Sequence, residues 1–277
     1  MKPAKSLKAL RKPKAIYFKK ALLSGEIFMF DYSCVSLVGD NELNEDKIEV
    51  FDLGKAFGFV LADGLGGHGK GEVASAVVAD YIKRFLQNAV NIDRSIIKQS
   101  IIGAHEQLKL IRENSNEPKS MKTTVVVLIL TEKTAYCGYV GDSRLYAFNH
   151  GRIFYRTKDH SVPQMLVEMG QLSDKEIRTS PDRNRLLRAV GMQDAEMKVD
   201  VTTIPKPIRK GVSFLLCSDG FWEYIYEHEM EKCCFFSRTS EMWLEKMTRI
   251  VEAHGKNKKM DNYSAIAIKC RQVGSKR

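Results

Sequence analysis

The 277 residues predict an α+β fold in which two packed antiparallel sheets carry helices on their outside. Three observations support it. Strand-like and helix-like segments arrive in blocks: strands, two helices, many strands, two helices, one strand. The regular βαβ alternation of a parallel sheet is absent. About ten strands exceed what one open sheet holds comfortably, so two sheets stack. With 44% apolar and 28% charged residues, the composition is that of an ordinary globular protein with a sizeable core.

The elements follow in order. Residues 1–24 read as a flexible basic arm and 25–277 as one domain. Residues 1–20 hold eight Lys or Arg and no acid, against 36 bases and 34 acids in the remainder, so most of the net charge of +10 belongs to the arm. Such an arm is either solvated or in contact with an acidic partner or surface. Short strands are expected at 27–30, 33–38 and 48–51, then a hairpin turn at 52–55 and a buried strand at 57–62. A helix over 72–89 carries Val73, Val77, Tyr81 and Phe85 beside Val78, Ile82 and Leu86 on one wide stripe. A second helix covers 94–113, with Asp93 as N-cap. Period-two, β-branched segments at 123–130, 134–140, 144–148 and 152–156 read as a four-strand antiparallel meander. Residues 158–192 are polar and too long for a plain loop, so they read as a structured flap. Strands at 199–204 and 212–217, helices at 221–235 and 239–254, and a strand at 263–268 complete the chain.

Several function classes drop out. No apolar run approaches the roughly 18–20 residues of a membrane span. The N-terminal stretch lacks the apolar segment and small-residue site of a signal peptide, and a cytoplasmic location is expected. The cysteines at 34, 137, 217, 233, 234 and 270 show no C-x-x-C spacing and read as buried free thiols, with no zinc site and no disulfide framework. Neither His105-Glu106 nor His228-Glu229 completes H-E-x-x-H.

The apolar run 57–62 ends at Asp63, followed by Gly64, Gly66, Gly67, Gly69 and Gly71. Gly64, Gly66 and Gly69 spell a dinucleotide fingerprint, but Arg84 and Asn88 stand where its acidic residue is needed. Gly64, Gly69 and Lys70 spell most of a P-loop, but Gly71 replaces its Ser or Thr. Both motifs take phosphate directly, and Asp63 sets a negative charge at the mouth. The pattern of strand then acid recurs at Asp142 after 134–140 and at Asp219 after 212–218. Asp46 and Asp261 stand just ahead of strands. Acids at sheet margins can converge on one edge of a sandwich, where they repel one another unless a hard divalent ion joins them. Oxygen ligands without a His or Cys cluster favour magnesium or manganese.

Together, Asn44-Glu45-Asp46, Ala62-Asp63-Gly64-Leu65-Gly66-Gly67-His68, Lys122-Thr123-Thr124, Val140-Gly141-Asp142-Ser143-Arg144, Asp159-His160-Ser161, Cys217-Ser218-Asp219-Gly220 and Asp261-Asn262 closely resemble the metal-dependent type 2C (PPM) serine/threonine protein phosphatases of bacterial type. The resemblance covers about residues 33–269. It implies a four-layer αββα sandwich and hydrolysis of phosphoserine or phosphothreonine on proteins by metal-activated water, without a phosphoenzyme. The implied catalytic residues are Asp46, Asp63 and Asp219. The implied ligands are Asp46, Asp63, Gly64, Asp142, Asp219 and Asp261, holding two Mg2+ or Mn2+ ions and, at Asp142 with Asp219, a weaker third. The implied partners are phosphoprotein substrates and an opposing Ser/Thr kinase in bacterial signalling, with no nucleic acid.

Two positions depart from the family. Asn41 stands where members with a phosphate-binding Arg carry it, leaving Lys47, Arg183, Arg185 or Arg188 to compensate. Leu65 stands where some members carry a general-acid His, and His68 lies three residues on. Asn41 and the basic arm keep open a catalytically weak or inactive phosphoprotein-binding module. A third reading is a two-metal hydrolase acting on nucleotides or nucleic acid.

Overall fold

The computed structural model describes residues 18–23, 26–65, 70–114, 121–192 and 197–272. The first element is a hairpin of β1 (Phe18–Leu23) and β2 (Glu26–Leu37). Part of the stretch read as an arm is therefore a strand, while 1–17 lie outside the described residues. The two short strands expected at 27–30 and 33–38 are one. Asp31 and Tyr32 stay extended because both are paired, Asp31 to Phe18 on one side and Lys269 on the other.

A second hairpin joins β3 (Asp46–Asp52) to β4 (Ala56–Leu65). Two long helices follow, α1 (Lys70–Gln87) and α2 (Arg94–Glu113). Asp93 caps α2 as expected, its carboxylate accepting from the Ile96 amide at 2.9 Å. Next come β5 (Lys122–Thr123), β6 (Val125–Thr131), β7 (Ala135–Val140), β8 (Arg144–Asn149) and β9 (Arg152–Arg156). The flap contains α3 (Val162–Glu168) and a 3-10 turn at Asp174–Thr179. After it come β10 (Asp200–Thr203), β11 (Val212–Cys217), α4 (Asp219–Trp222), α5 (Glu227–Phe235), α6 (Ser240–Gly255) and β12 (Tyr263–Gln272).

The strands form two antiparallel sheets. One runs β1-β2-β12-β11-β8-β9, the other β10-β7-β6-β4-β3, with β5 beside β4. The predicted meander is thus corrected. β6 pairs with β7 and β8 with β9, but the chain changes sheets between Val140 and Arg144. Gly141, at φ +107, makes that crossing.

The helix expected over 221–235 is also two, α4 and α5. The Arg178 guanidinium takes the carbonyls of Trp222 (3.1 Å) and Ile225 (3.2 Å), which a continuous helix would have used itself.

Alternation along β4 shows why the layers stack. Phe57, Phe59 and Leu61 point between the sheets, where they meet Leu128, Leu145, Phe214, Leu216 and Ile266. Val60 and Ala62 point the other way, beneath Val78, Ile82, Ile97 and Ile101 of α1 and α2. On the far side Tyr146, Phe148, Leu215 and Ala267 lie under Trp222, Trp243 and Met247 of α4 and α6. Burying each large apolar side chain contributes on the order of 1.5–3 kcal/mol. The architecture is helix, sheet, sheet, helix.

Candidate metal centre

The adjoining ends of β3, β4, β8, β11 and β12 form one edge of the sandwich, and the recurrent acids sit there. Asp46 begins β3 directly opposite Asp63 in β4. Asp63 thus lies inside its strand rather than on the loop after it. Asp142 occupies the crossing between sheets, Asp219 the first turn of α4 and Asp261 the approach to β12. Ser218 ties these parts together: its hydroxyl donates to Asp46 Oδ2 at 3.0 Å and accepts from the Ser264 amide at 2.9 Å.

The carboxylates are close enough to disturb one another. Burial, then the charges of Asp219 and Asp261, push Asp46 up to about 7. Burial and the charges of Asp46, Asp219 and Asp142 raise Asp63 well above the usual carboxylate range. Asp142 is raised by burial and then by Asp219 and Asp159, and Asp219 by burial and then by Asp261. The side chains of Asp63 and Asp219 share a hydrogen bond, which holds the proton on Asp63. Asp46 Oδ1 is buried without a hydrogen-bond partner among the described residues.

A divalent cation fits this donor set, because it supplies the orphaned oxygen with a partner and cancels the repulsion. Among the described residues no group of three His, Cys, Asp or Glu side chains forms a protein-only metal cage. Magnesium and manganese do not need one, since they retain waters and take one or two carboxylates each.

A ring of backbone contacts holds the acids in place. Asn262 accepts from the Glu45 amide (2.8 Å) and donates to the carbonyls of Val38 (2.8 Å) and Leu43 (2.9 Å). A Cβ at Gly39, whose φ is +60, would strike the Asp261 carbonyl, and one at Gly64 would strike the Gly71 carbonyl. Asn41, read as facing substrate, donates its amide to Asp261 Oδ1 at 2.6 Å.

Beside Asp219 and Asp261 lies a cleft of about 280 Å³, also lined by Arg183, Glu223, Tyr224 and Lys259. Of the cations named from sequence, Lys47 faces Glu49 (3.4 Å), Arg185 faces Asp182 (3.0 Å) and Arg188 faces Asp200 (3.8 Å). Arg183 is the one that reaches the cleft, held 3.3 Å from Glu223. The sequence reading missed Glu223, Tyr224 and Lys259. Lys259 sits in a run of lysines that looks like a solvated turn. Glu223 and Tyr224 follow Asp219 by one helical turn, and that spacing was the available signal. Gly66, Gly67, His68 and Gly69 lie outside the described residues.

Two buried networks brace the site from behind. The Arg144 guanidinium bonds both oxygens of Asp159 (2.8 and 2.6 Å) and lies 3.4 Å above the Trp222 ring. Trp222 Nε1 donates to the Asp142 carbonyl at 3.0 Å. His160 Nδ1 accepts from the Gly141 amide (3.2 Å), leaving Nε2 to donate to Asp200 (2.8 Å).

The αββα sandwich thus gathers its acids beside a cleft at the meeting edge of its two sheets, where Arg183 and Lys259 face them. A family model for protein phosphatase 2C matches residues 36–263, so the chain belongs to that family. The serine/threonine phosphatase stp of Listeria innocua is 32% identical over 203 residues, 71% of this chain and 79% of that protein. The crystal structure of serine/threonine phosphatase Stp1 from Staphylococcus aureus superposes with a TM-score of 0.78 at 28% identity, covering 87% of this chain and 95% of that one. The catalytic domain of the phosphatase PstP, solved in complex with two manganese ions, has the same fold at 22% identity (TM-score 0.72, 87% and 98% covered).

Proposed function

We propose that this serine/threonine phosphatase hydrolyses phosphoserine and phosphothreonine on proteins with two bound Mg2+ or Mn2+ ions. The observation that carries the reading is the set of mutually repelling buried acids, Asp46, Asp63, Asp142 and Asp219, one of them with an orphaned oxygen. Asp63 and the Gly64 carbonyl would hold the ions from one sheet, and Asp219 and Asp261 from the other. Asp46 supports the pair, and Asp142 with Asp219 would take a weaker third ion. When bound, such ions acidify water to a nucleophile and neutralise charge on the phosphoryl oxygens.

The chain's own residues supply the remainder. Arg183 and Lys259, on the wall of the cleft, would grip the phosphoryl group in place of the family arginine missing at Asn41. Asn41 orients Asp261 instead. Glu223 restrains Arg183, and the flap that delivers Arg183 is pinned to the body through Arg178 and Glu227 (2.7 Å). A Ser/Thr kinase would supply the phosphorylated protein. Among the described residues no helix is long and apolar enough to cross a membrane.

The test is turnover of a phosphothreonine peptide and of para-nitrophenyl phosphate, with and without manganese. Manganese-dependent turnover lost in Asp219→Asn supports the assignment. No turnover in manganese would leave a phosphoprotein-binding module instead.

A further inference from the structure

A second cleft, of about 500 Å³, opens at the other end of the same sheet. It lies between the β8–β9 turn at His150, the entry to β11 at Lys210, the C-terminal end of α5 at Phe235 and the last residues of β12. Val212 and Cys217 stand at opposite ends of β11, so about 17 Å of strand separates this cleft from the acid cluster. A phosphoryl group held at Asp219 therefore does not reach this cleft.

Its walls are built rather than incidental. The His150 amide donates to the Gly211 carbonyl at 2.8 Å, and the His150 ring lies so close over Gly211 that any side chain there would strike it. Lys269 Nζ donates to the carbonyls of Cys234 (2.8 Å) and Ser237 (2.5 Å), closing the end of α5. Arg271 pairs with Asp31 (2.6 Å) and donates to the Arg238 carbonyl (2.9 Å). Arg238 and Lys210 are exposed and have no ion-pair partner among the described residues.

The described lining residues include four cations and His150, and no Asp or Glu. Asp31 is already engaged by Arg271 and by the Ser240 amide. At the rim Phe235 and Phe236 stand 67% and 64% exposed, their rings edge to face at 5.1 Å. Paired exposed aromatics beside unpaired cations are characteristic of protein recognition surfaces.

We infer that this cleft is a docking site for an acidic protein segment, one that places carboxylates against Lys210, Arg238 and Lys269 and an apolar side chain against Phe235 and Phe236. Charge complementarity selects the occupant: a concavity whose described lining is rich in cations and holds no acid attracts acidic chains. Its concave shape fits a peptide better than a flat lipid surface does. Such a site would tether a partner while the acid cluster at the other end works on a phosphorylated residue. Binding is read without turnover, so the inference stands or falls separately from the metal chemistry.

The probe is a fluorescein-labelled peptide of Glu and Asp around one Phe, followed by anisotropy on the full chain at low and at physiological ionic strength. Lys210→Glu with Arg238→Glu should weaken it at least ~10-fold and flatten its salt dependence. Phe235→Ser with Phe236→Ser should weaken it with the salt dependence unchanged. Melting temperature and para-nitrophenyl phosphate turnover should stay at wild-type values in both, since every substituted side chain is exposed. Peptide affinity within twofold of wild type after the charge reversal overturns the inference. So does binding that is lost only for duplex DNA or phosphatidylserine vesicles.

Discussion

Asp63→Asn separates the electrostatic argument from any loss of catalysis. In the metal-free protein, burial and neighbouring acids hold the site carboxyls above their unfolded values. The folded chain therefore binds more protons than the unfolded one. Its stability is fully present below about pH 4 and is lost as pH rises through about 7. Moving Asp46 alone from 3.8 to about 7 corresponds to on the order of 4 kcal/mol. Asp63 is likewise held well above the usual carboxylate range by burial and its neighbours. Replacing it with Asn removes one ionisable group yet keeps a donor for the bond to Asp219. With relaxation and screening, metal-free Asp63→Asn should be more stable than wild type at pH 8 by about 1–4 kcal/mol, at roughly 2–4 °C per kcal/mol. At pH 5 the gain should shrink to about 1.5 kcal/mol or less.

Manganese should reverse the order. At one hundred times its dissociation constant it stabilises wild type by about 2.7 kcal/mol, and the variant should gain little. Thermal melts at pH 5 and pH 8, in chelator and in manganese, measure all four quantities. A metal-free variant that melts below wild type at pH 8, or a gain equal at both pH values, refutes the reasoning.

Three further expectations concern single side chains. Arg183→Ala should raise KM for a phosphothreonine peptide about 10- to 100-fold, the cost of one charge-assisted bond of about 1.5–3 kcal/mol, with kcat changed less; an unaltered KM in steady-state assays removes Arg183 from the phosphate grip. Asn41→Arg keeps a donor near Asp261 and adds charge to the cleft, so KM should fall more than kcat changes, and an equal or higher KM counts against that placement. Asp159→Ala leaves the Arg144 guanidinium buried without its carboxylate, at a cost of about 3–5 kcal/mol in urea unfolding. A loss below about 1 kcal/mol would mean that stacking on Trp222 suffices.

Much of the site could be read in the chain because each acid carries a local mark: Asp63, Asp142 and Asp219 beside glycines at strand ends, Asp261 beside Asn262. The cap at Asp93 was equally local. What escaped was non-local. Period-two alternation is identical whether the next strand pairs in the same sheet or the opposite one, so the crossing at Gly141 left no trace in the meander. The break after Trp222 is made by Arg178, more than forty residues away in sequence. β1 reads as an arm because Lys19 and Lys20 interrupt its apolar pattern; its pairing with β2 supplies what propensity does not. Lys259 and Arg183 sit in polar turns, where nothing distinguishes a ligand-facing cation from a solvated one.

The crossing at Gly141 also sets how the centre responds to strain. Asp46 and Asp63 arrive on one sheet, Asp219 and Asp261 at the strand ends of the other, and Asp142 on the link between them. Ions held as proposed, from both halves, would act as a rivet through the sandwich, and their affinity would report the spacing of its two leaves. A void opened deep in the filling, at Phe59 or Phe214 for example, should loosen that grip without touching any ligand. Conversely, loading the rivet should slow amide exchange in β4 and β11 together, so that the interior and the chemistry share a single mechanical state.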